Sequence, residues 1–311
     1  MSSALLHPAG QPLHHWLLGG ASSVAVVHSG ISELDCGFAR LLTNLTDLDL
    51  SENELKDGFL ELEQCPVTFP RLDCLRLNGN RLRSFQHLCL LLKGTPALQD
   101  LHASQNNFSQ PPSGCSLGDR SFRVLNLSHT ELVQMTPYLP RSVVVLDLSG
   151  NNLQHFESLP RGLRKLHLSD NHLLTLPVLT NAPLLRVLEV DGNQLTGLWD
   201  ESGPGTDPLR VLEELVAFRA GRNPYNCSCG VRDTVDHFRR QSGIMKDWPD
   251  DYVCHTPLSL KGTLLKDLWL SYYECNHTAA VCLISLSVLA VVVLIAVLIG
   301  CVFYRSAFRR P

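Results

Sequence analysis

Four cysteines near the C-terminal end of the chain are spaced so that they could act together. Cys227 and Cys229 form a C-x-C pair, and Cys254 and Cys275 follow downstream. Four thiolates could bind zinc, or they could oxidise to two disulfides. Zinc sites usually use C-x-x-C pairs, and 11 cysteines in one chain are typical of an oxidising compartment. The spacing therefore favours disulfides and predicts no metal site.

No residue pattern in the sequence indicates catalysis. The motifs G-x-S-x-G and H-E-x-x-H and a phosphate-binding glycine loop are all absent. His102, His129 and His167 lie on or beside predicted strands, where a surface histidine is the simpler interpretation. We therefore predict that the protein is not an enzyme and holds no cofactor. A net charge of −4 also argues against nucleic acid as the main partner.

Residues 278–304 contain no charged side chain and are almost wholly apolar. As a helix they rise about 40 Å, enough to cross a hydrocarbon core of roughly 30 Å. Arg305, Arg309 and Arg310 follow this segment, whereas Asp267 and Glu274 precede it. The positive-inside rule then predicts a single-pass type I membrane protein, at the plasma membrane or in endosomal and phagosomal membranes.

The two ends of the chain lead to further expectations. Residues 1–23 have no repeat pattern and no basic region before their apolar residues, so they do not resemble a signal peptide. We expect the natural protein to have a different or longer start. The predicted cytoplasmic tail, residues 305–311, is too short to fold.

Asparagines in N-x-S/T sequons support the same topology, because they lie on the side predicted to be outside. The five sequons are at Asn44, Asn107, Asn126, Asn226 and Asn276.

A repeated frame, L-x-x-L-x-L-x-x-N-x-L, predicts the fold of residues 24–222. Its eight copies begin at Leu45, Leu72, Leu98, Phe122, Val143, Leu163, Leu185 and Leu215. Its asparagine is present as Asn53, Asn80, Asn106, Asn151, Asn171, Asn193 and Asn223, and Thr130 replaces it once. A leucine-rich amphipathic helical protein would show a period of 3.6 residues and no asparagine at fixed phase. The frame therefore predicts an α/β leucine-rich-repeat solenoid, in which each repeat adds one short strand to a parallel sheet on the concave face.

A solenoid needs caps at its ends, and the cysteine pattern in residues 223–277 is typical of a C-terminal leucine-rich-repeat cap. This pattern implies the disulfides Cys227–Cys254 and Cys229–Cys275.

The segment DWPDDYVCHTPLSLKGTLLKDLWLSYYEC, residues 247–275, resembles the cap of the Toll-like receptors, in the branch that comprises receptors 1, 2, 6 and 10. VLNLSHTEL, with Thr130 in place of asparagine, is also similar to this branch. The resemblance covers roughly residues 24–304 and implies a further disulfide, Cys36–Cys65.

The resemblance implies an innate immune receptor that recognises microbial lipoproteins or lipopeptides as a homo- or heterodimer with another Toll-like receptor. The lipid pocket of this branch would fall near residues 24–34, where Val26, Ile31 and Leu34 could line one wall. Ordinary strand packing is the simpler interpretation of these three residues.

Two other functions stay open. Family members carry a cytoplasmic signalling domain that this sequence does not contain, so the chain could act as a decoy or co-receptor. The second alternative function is that of a leucine-rich-repeat adhesion protein with a protein ligand, and the D-W-P motif of the cap argues against it.

Overall fold

The repeats form one parallel sheet whose strands follow one another in chain order. The computed structural model describes residues 3–5, 21–60, 66–108, 120–135, 139–156, 159–198, 208–269, 275 and 277–307. The ten strands are β1 (Ser3–Leu5), β2 (Ser23–Ala25), β3 (Asp47–Asp49), β4 (Cys74–Arg76), β5 (Asp100–His102), β6 (Val124–Asn126), β7 (Val145–Asp147), β8 (Lys165–His167), β9 (Val187–Glu189) and β10 (Ala217–Arg219). The predicted leucine-rich-repeat solenoid is therefore confirmed.

Helices occur where the connection between strands is long enough to hold them. The described helices are α1 (Cys36–Leu41), α2 (Phe85–Lys93), α3 (Pro208–Glu213), α4 (Arg232–Gln241) and α5 (His277–Ala307). Asp35 caps α1 by accepting a hydrogen bond from the backbone N–H of Phe38 at 3.2 Å. In α2, Phe85, Leu88 and Leu92 are buried, and their helical spacing directs one face to the core.

The register of the sheet keeps one apolar residue of each repeat in line. Leu48 lies opposite Leu75, and Leu75 lies opposite Leu101. The same alignment continues to Leu188 and Phe218. Because alternate strand residues point to opposite sides, these side chains are buried in the core while their neighbours, most of them half-buried, form the opposite surface, here called the strand face.

The frame asparagines bind neighbouring repeats together. Nδ2 of Asn151 donates to the carbonyl oxygens of Leu127 and Leu148, each at 2.9 Å. Its Oδ1 accepts from the backbone N–H groups of Thr130 at 3.1 Å and Leu132 at 2.9 Å. The amide thus satisfies buried backbone groups of two repeats at once. The same donation to the preceding repeat is made by Asn53, Asn80, Asn106, Asn171, Asn193 and Asn223.

Thr130 replaces the asparagine and interrupts this ladder. Its hydroxyl donates to the carbonyl of Leu127 in its own repeat, at 2.7 Å. The link to the preceding repeat is instead a backbone bond, from the N–H of Phe108 to the carbonyl of Thr130 at 2.8 Å. The next residue, Glu131, has a φ of 61°, which a residue with a side chain adopts only at some cost.

Two strands precede the eight predicted copies of the frame. In the repeat of β2, Ser29 occupies the asparagine position, and its N–H donates to Oδ1 of Asn53 at 3.0 Å. Strand β1 lies within residues 1–23, where no repeat was predicted, and pairs in parallel with β2. The sequence does not reveal this part of the repeat pattern, because it lacks the asparagine and uses apolar residues other than leucine.

Helix α5 follows the repeats and the cap. It is 31 residues long, and its segment Val281–Cys301 is long and apolar enough to cross a membrane. None of that segment is buried against the rest of the protein. The helix therefore has the form expected of the predicted span.

The asparagine ladder gives a direct stability test. We expect Asn151→Ala to lower the free energy of unfolding by about 3 kcal/mol, because it leaves several buried backbone groups without partners. Asn152→Ala is the matched control, since Asn152 is exposed and its amide makes only a 3.5 Å contact with the carbonyl of Glu131. Urea unfolding midpoints measure both variants, and equal losses would contradict a role for the ladder.

Candidate functional site on the strand face and the cap

The strand face carries charged side chains of both signs, and many of them are paired across neighbouring strands. Arg76 on β4 contacts Asp47 on β3 at 2.8 Å. His167 on β8 contacts Glu189 on β9 at 2.7 Å. A face of paired, mixed charges suits a polar protein partner better than a lipid chain.

The largest network of ion pairs among the described residues lies beside the C-terminal end of the strand face. The carboxylate of Asp191 is almost fully buried and contacts Arg222 at 2.6 Å and Arg219 at 3.4 Å. Burial alone would raise the pKa of Asp191, but hydrogen bonds from Ser169 and Arg222 outweigh it and hold the pKa below its ordinary value. Arg222 also contacts Asp170 at 2.9 Å, so this cluster joins three repeats.

Two titratable groups at the centre of the strand face are held in their neutral forms. Burial raises the pKa of the Cys74 thiol to about 12, with Asp47 and Asp100 contributing, so the thiol is a poor nucleophile. Burial, together with the charge of Arg76, lowers the pKa of His102. No group of residues able to hold a metal ion occurs in the described part of the chain.

The residues proposed to contact a ligand belong largely to the core. Val26 is 2% exposed and Leu34 is 8% exposed. Ile31 is half-buried and packs against the same core. Leu34 also lines an apolar cavity of about 10 Å³, shared with Phe59 and Leu60, which has room for roughly one water molecule.

The sequon asparagines occupy different environments. Asn44 and Asn226 are exposed, whereas Asn107 and Asn126 are half-buried. The amide of Asn107 donates to Glu131 at 2.9 Å. Asn276 lies outside the described residues.

The cap cysteines are joined in two pairs. Cys227 is bonded to Cys254, and Cys229 is bonded to Cys275, with Cα–Cα distances of 5.5 Å and 5.2 Å. The Cys36–Cys65 prediction depends on Cys65, which lies outside the described residues. Cys36 forms a disulfide, and so does Cys89, for which the sequence indicated no partner.

The cap closes the end of the sheet by supplying hydrogen-bond partners to the backbone of the last repeat. The N–H of Ala220 donates to the hydroxyl of Tyr252 at 2.9 Å, and the N–H of Gly221 donates to Asp247 at 3.0 Å. Tyr252 in turn donates to Asp247 at 2.9 Å. Gly221 is required here, because a Cβ at this position would lie 2.5 Å from Cβ of Asp251.

Aromatic rings hold this seal against the cap helix α4. Tyr252 contacts Phe238 with ring centroids 5.0 Å apart and Trp248 at 5.1 Å. Tyr225 stacks on Tyr252 at 6.0 Å. The D-W-P segment is therefore the part of the cap that closes the sheet. The sequence identifies this motif but not the role of Asp247 and Tyr252, whose only signal is their place in the segment DWPDDY.

His237 is the buried titratable group of the cap. Only 1% of it is exposed. Burial, with the charge of Arg240 as a lesser cause, lowers the pKa of His237 to about 4. The cap is therefore built around a neutral histidine.

The sequence is similar to receptors of vertebrates. It is 32% identical to sheep Toll-like receptor 2 over 282 residues, which cover 91% of this chain and 35% of that protein. It is 29% identical to chicken Toll-like receptor 2 type-1, covering 94% of this chain and 36% of that protein. The chain thus spans about a third of the length of these relatives. No family model matches the sequence.

Solved structures share the fold. The mouse RP105/MD-1 complex has a TM-score of 0.50 at 20% identity, with 83% of this chain and 55% of that chain covered. Human 5T4 (Wnt-activated inhibitory factor 1, trophoblast glycoprotein) has a TM-score of 0.55 at 20% identity, with 85% of this chain and 96% of that chain covered. At this identity the similarity shows the leucine-rich-repeat fold alone.

Breaking a cap disulfide should destabilise the protein strongly. We expect Cys254→Ser to cost about 2–5 kcal/mol and to reduce the amount of mature protein. Cys74→Ser is the control, because Cys74 is also buried but makes no disulfide. Thermal unfolding and the yield of membrane-inserted protein measure both, and an unchanged Cys254→Ser variant would refute a structural role for the bond.

The cap should lose stability in mild acid. The pKa of His237 is about 4 in the folded protein against an ordinary value of 6.5, so the unfolded chain binds the extra proton between these pH values. Stability is therefore present above pH 6.5 and lost as the pH falls towards 4, by up to about 3 kcal/mol.

The His237→Gln variant isolates this contribution. It should show a shallower decrease in unfolding midpoint between pH 6.5 and 4 than the unchanged protein. His129→Gln, at an exposed position, should keep the original slope. Parallel slopes for His237→Gln and the unchanged protein would contradict the assignment.

Proposed function

The chain is a relative of Toll-like receptor 2 over its repeats and cap, and on that premise we propose that it is an innate immune pattern-recognition receptor for microbial lipoproteins or lipopeptides. In this proposal it acts as a homo- or heterodimer with another Toll-like receptor. The similarity that carries the proposal is the 32% identity to sheep Toll-like receptor 2 over 91% of the chain.

We place the lipid contact at the first described repeats, around Ile31 and Leu34. The apolar cavity beside Leu34 supports this placement, because it leaves the core less tightly filled there. The cavity is far too small for an acyl chain, so binding requires the side chains around it to move apart. The mixed charges of the strand face make that face a poor alternative for lipid.

We further propose a type I topology, with the repeats and cap outside the cytosol and α5 in the membrane. The cap disulfides support this, because such bonds persist in oxidising compartments. The exposed sequon at Asn44 is accessible for glycosylation on that side.

Substitution of Ile31 separates ligand binding from ordinary packing. We expect Ile31→Gln to weaken binding of a synthetic diacylated or triacylated lipopeptide to the purified chain, with only a small decrease in melting temperature, because the side chain is half-buried. Val133→Gln is the control, since Val133 is an apolar residue 47% exposed on a distant repeat. Unchanged lipopeptide binding by Ile31→Gln, alongside a lower melting temperature, would assign Ile31 to packing alone.

Reporter cells extend the binding test to the mode of action. We expect co-expression of this chain to alter the lipopeptide response of a full-length Toll-like receptor 2 through dimerisation. A reduced response would identify a decoy, and an increased response would identify a co-receptor. No change in the response would contradict a shared lipopeptide complex.

Glycosidase treatment tests the topology. Membrane-associated protein from expressing cells should migrate faster on a gel after removal of N-linked glycans. Asn44→Gln should already migrate faster than the unchanged protein before treatment. The absence of any shift for the unchanged protein would argue against an extracellular location of the repeats.

A further inference from the structure

One edge of the sheet carries a concentration of positive charge that the proposed function does not use. It consists of six arginines just before or at the start of strands β6 to β9, here called the basic edge: Arg120, Arg123, Arg141, Arg161, Arg164 and Arg186. This concentration contrasts with the net charge of −4 for the whole chain.

The solenoid itself aligns the first row of these arginines. Arg120, Arg141 and Arg161 occupy the same position in three successive repeats. The hydroxyl of Ser142 donates to the carbonyl of Phe122 at 2.8 Å, which places Arg141 beside the turn that carries Arg120. A Cβ on Gly162 would lie 3.5 Å from the carbonyl oxygen of Arg141, which places Arg161 in the next turn.

A second row follows the backbone ladder of the sheet. The N–H of Val144 donates to the carbonyl of Arg123 at 2.9 Å, and the N–H of Arg164 donates to the carbonyl of Val144 at 2.8 Å. The N–H of Arg186 then donates to the carbonyl of Arg164 at 2.9 Å. Successive strands of a sheet are about 4.8 Å apart, so the first row places a cation on each of three successive steps, whereas Val144 interrupts the second row between Arg123 and Arg164.

Carboxylates of the described residues neutralise only a minority of this charge. Within the residues that the structure describes, Arg120, Arg141, Arg161 and Arg164 make no ion pair, whereas Arg123 contacts Asp100 and Arg186 contacts Glu214. On the strand face, by contrast, Arg76 and Arg222 are paired with carboxylates. Like charges on adjacent strands are destabilising, so an unpaired row favours a ligand that supplies the opposite charge.

The equivalent positions of earlier repeats are not basic. Thr46, Asp73 and Gln99 occupy the second position of the frame before β3, β4 and β5, where Arg123 and Arg164 occupy it later. The concentration of arginine is thus confined to part of the edge and is not a general property of the repeat.

We propose that the basic edge binds a sulfated glycosaminoglycan of the cell surface or extracellular matrix. Such a chain is a linear polyanion, and its regularly placed sulfates can lie along the two rows and across several strands. Arginine suits this ligand because its planar guanidinium forms paired hydrogen bonds with oxyanions. This inference rests on the proposed extracellular location of the repeats, but it is independent of lipopeptide binding.

Heparin affinity tests the proposal on the purified full chain. The unchanged protein should bind immobilised heparin at the physiological salt concentration of about 0.15 M. Its affinity should fall steeply as the salt concentration increases, as for other polyanion complexes. The triple variant Arg141→Ser, Arg161→Ser, Arg164→Ser should lose at least about tenfold in affinity, and its logarithmic salt dependence should be less steep by about 2.

A matched triple variant controls for loss of charge alone. This control removes three exposed cations from earlier repeats through Lys56→Ser, Arg83→Ser and Lys93→Ser. It should retain nearly full heparin affinity. Urea unfolding of both triple variants confirms that each is folded. Equal losses in the two variants, or no heparin binding by the unchanged protein, would overturn the proposal.

Two further ligands distinguish the source of the negative charge. Desulfated heparin of the same length should bind much more weakly than heparin. A single-stranded DNA oligonucleotide of equal charge should also bind more weakly. Equal binding of the oligonucleotide would show a general polyanion site and overturn the assignment to sulfated polysaccharide. If lipopeptide binding fails while heparin binding holds, only the proposed receptor function is refuted.

Discussion

The buried asparagine amide is the interaction on which the rest of this structure depends. Short parallel strands leave backbone groups at each turn that water cannot reach, and a single amide has both the donors and the acceptor to satisfy them. Because Asn151 and its equivalents donate to the preceding repeat as well as to their own, no repeat is complete without its neighbour. The sheet must therefore either continue or be closed by different chemistry. Closure comes from Asp247 and Tyr252, which accept the N–H groups that the last repeat would otherwise leave unpaired.

The repeats could be predicted from the sequence because their asparagine recurs at fixed phase, whereas other parts of the fold lack such a marker. Ser29 replaces asparagine before Asn53, so the first described repeats were only partly recognised. The closure by Tyr252 was not predicted, because it joins a side chain to the backbone of Ala220, 32 residues earlier. A repeat pattern in the sequence does not reveal such a contact. Leu34 shows the same limit, since its burial depends on residues from several repeats.

The surfaces of the solenoid differ in how their charges are balanced. On the strand face, carboxylates lie beside arginines on adjacent strands, and Asp191 alone receives two of them. At the basic edge, Arg123 and Arg186 are paired with carboxylates, whereas the other four arginines make no ion pair within the residues that the structure describes. Both arrangements come from the same register, because residues at one frame position are always brought side by side. A repeat protein can therefore create either a neutral or a charged surface by changing single residues at a constant interval, without altering the core.

The disulfide between Cys229 and Cys275 has a mechanical consequence. Cys275 is only two residues from His277, where α5 begins, and Cys229 lies in the first turn of the cap. The start of the helix is consequently held to the cap by a covalent bond only two residues away. The cap is in turn locked to the last strand through Asp247 and the aromatic rings. Because two residues of chain span at most about 7 Å, the start of the helix cannot move far from the cap, and the last strand of the sheet stays close to the membrane end of the molecule.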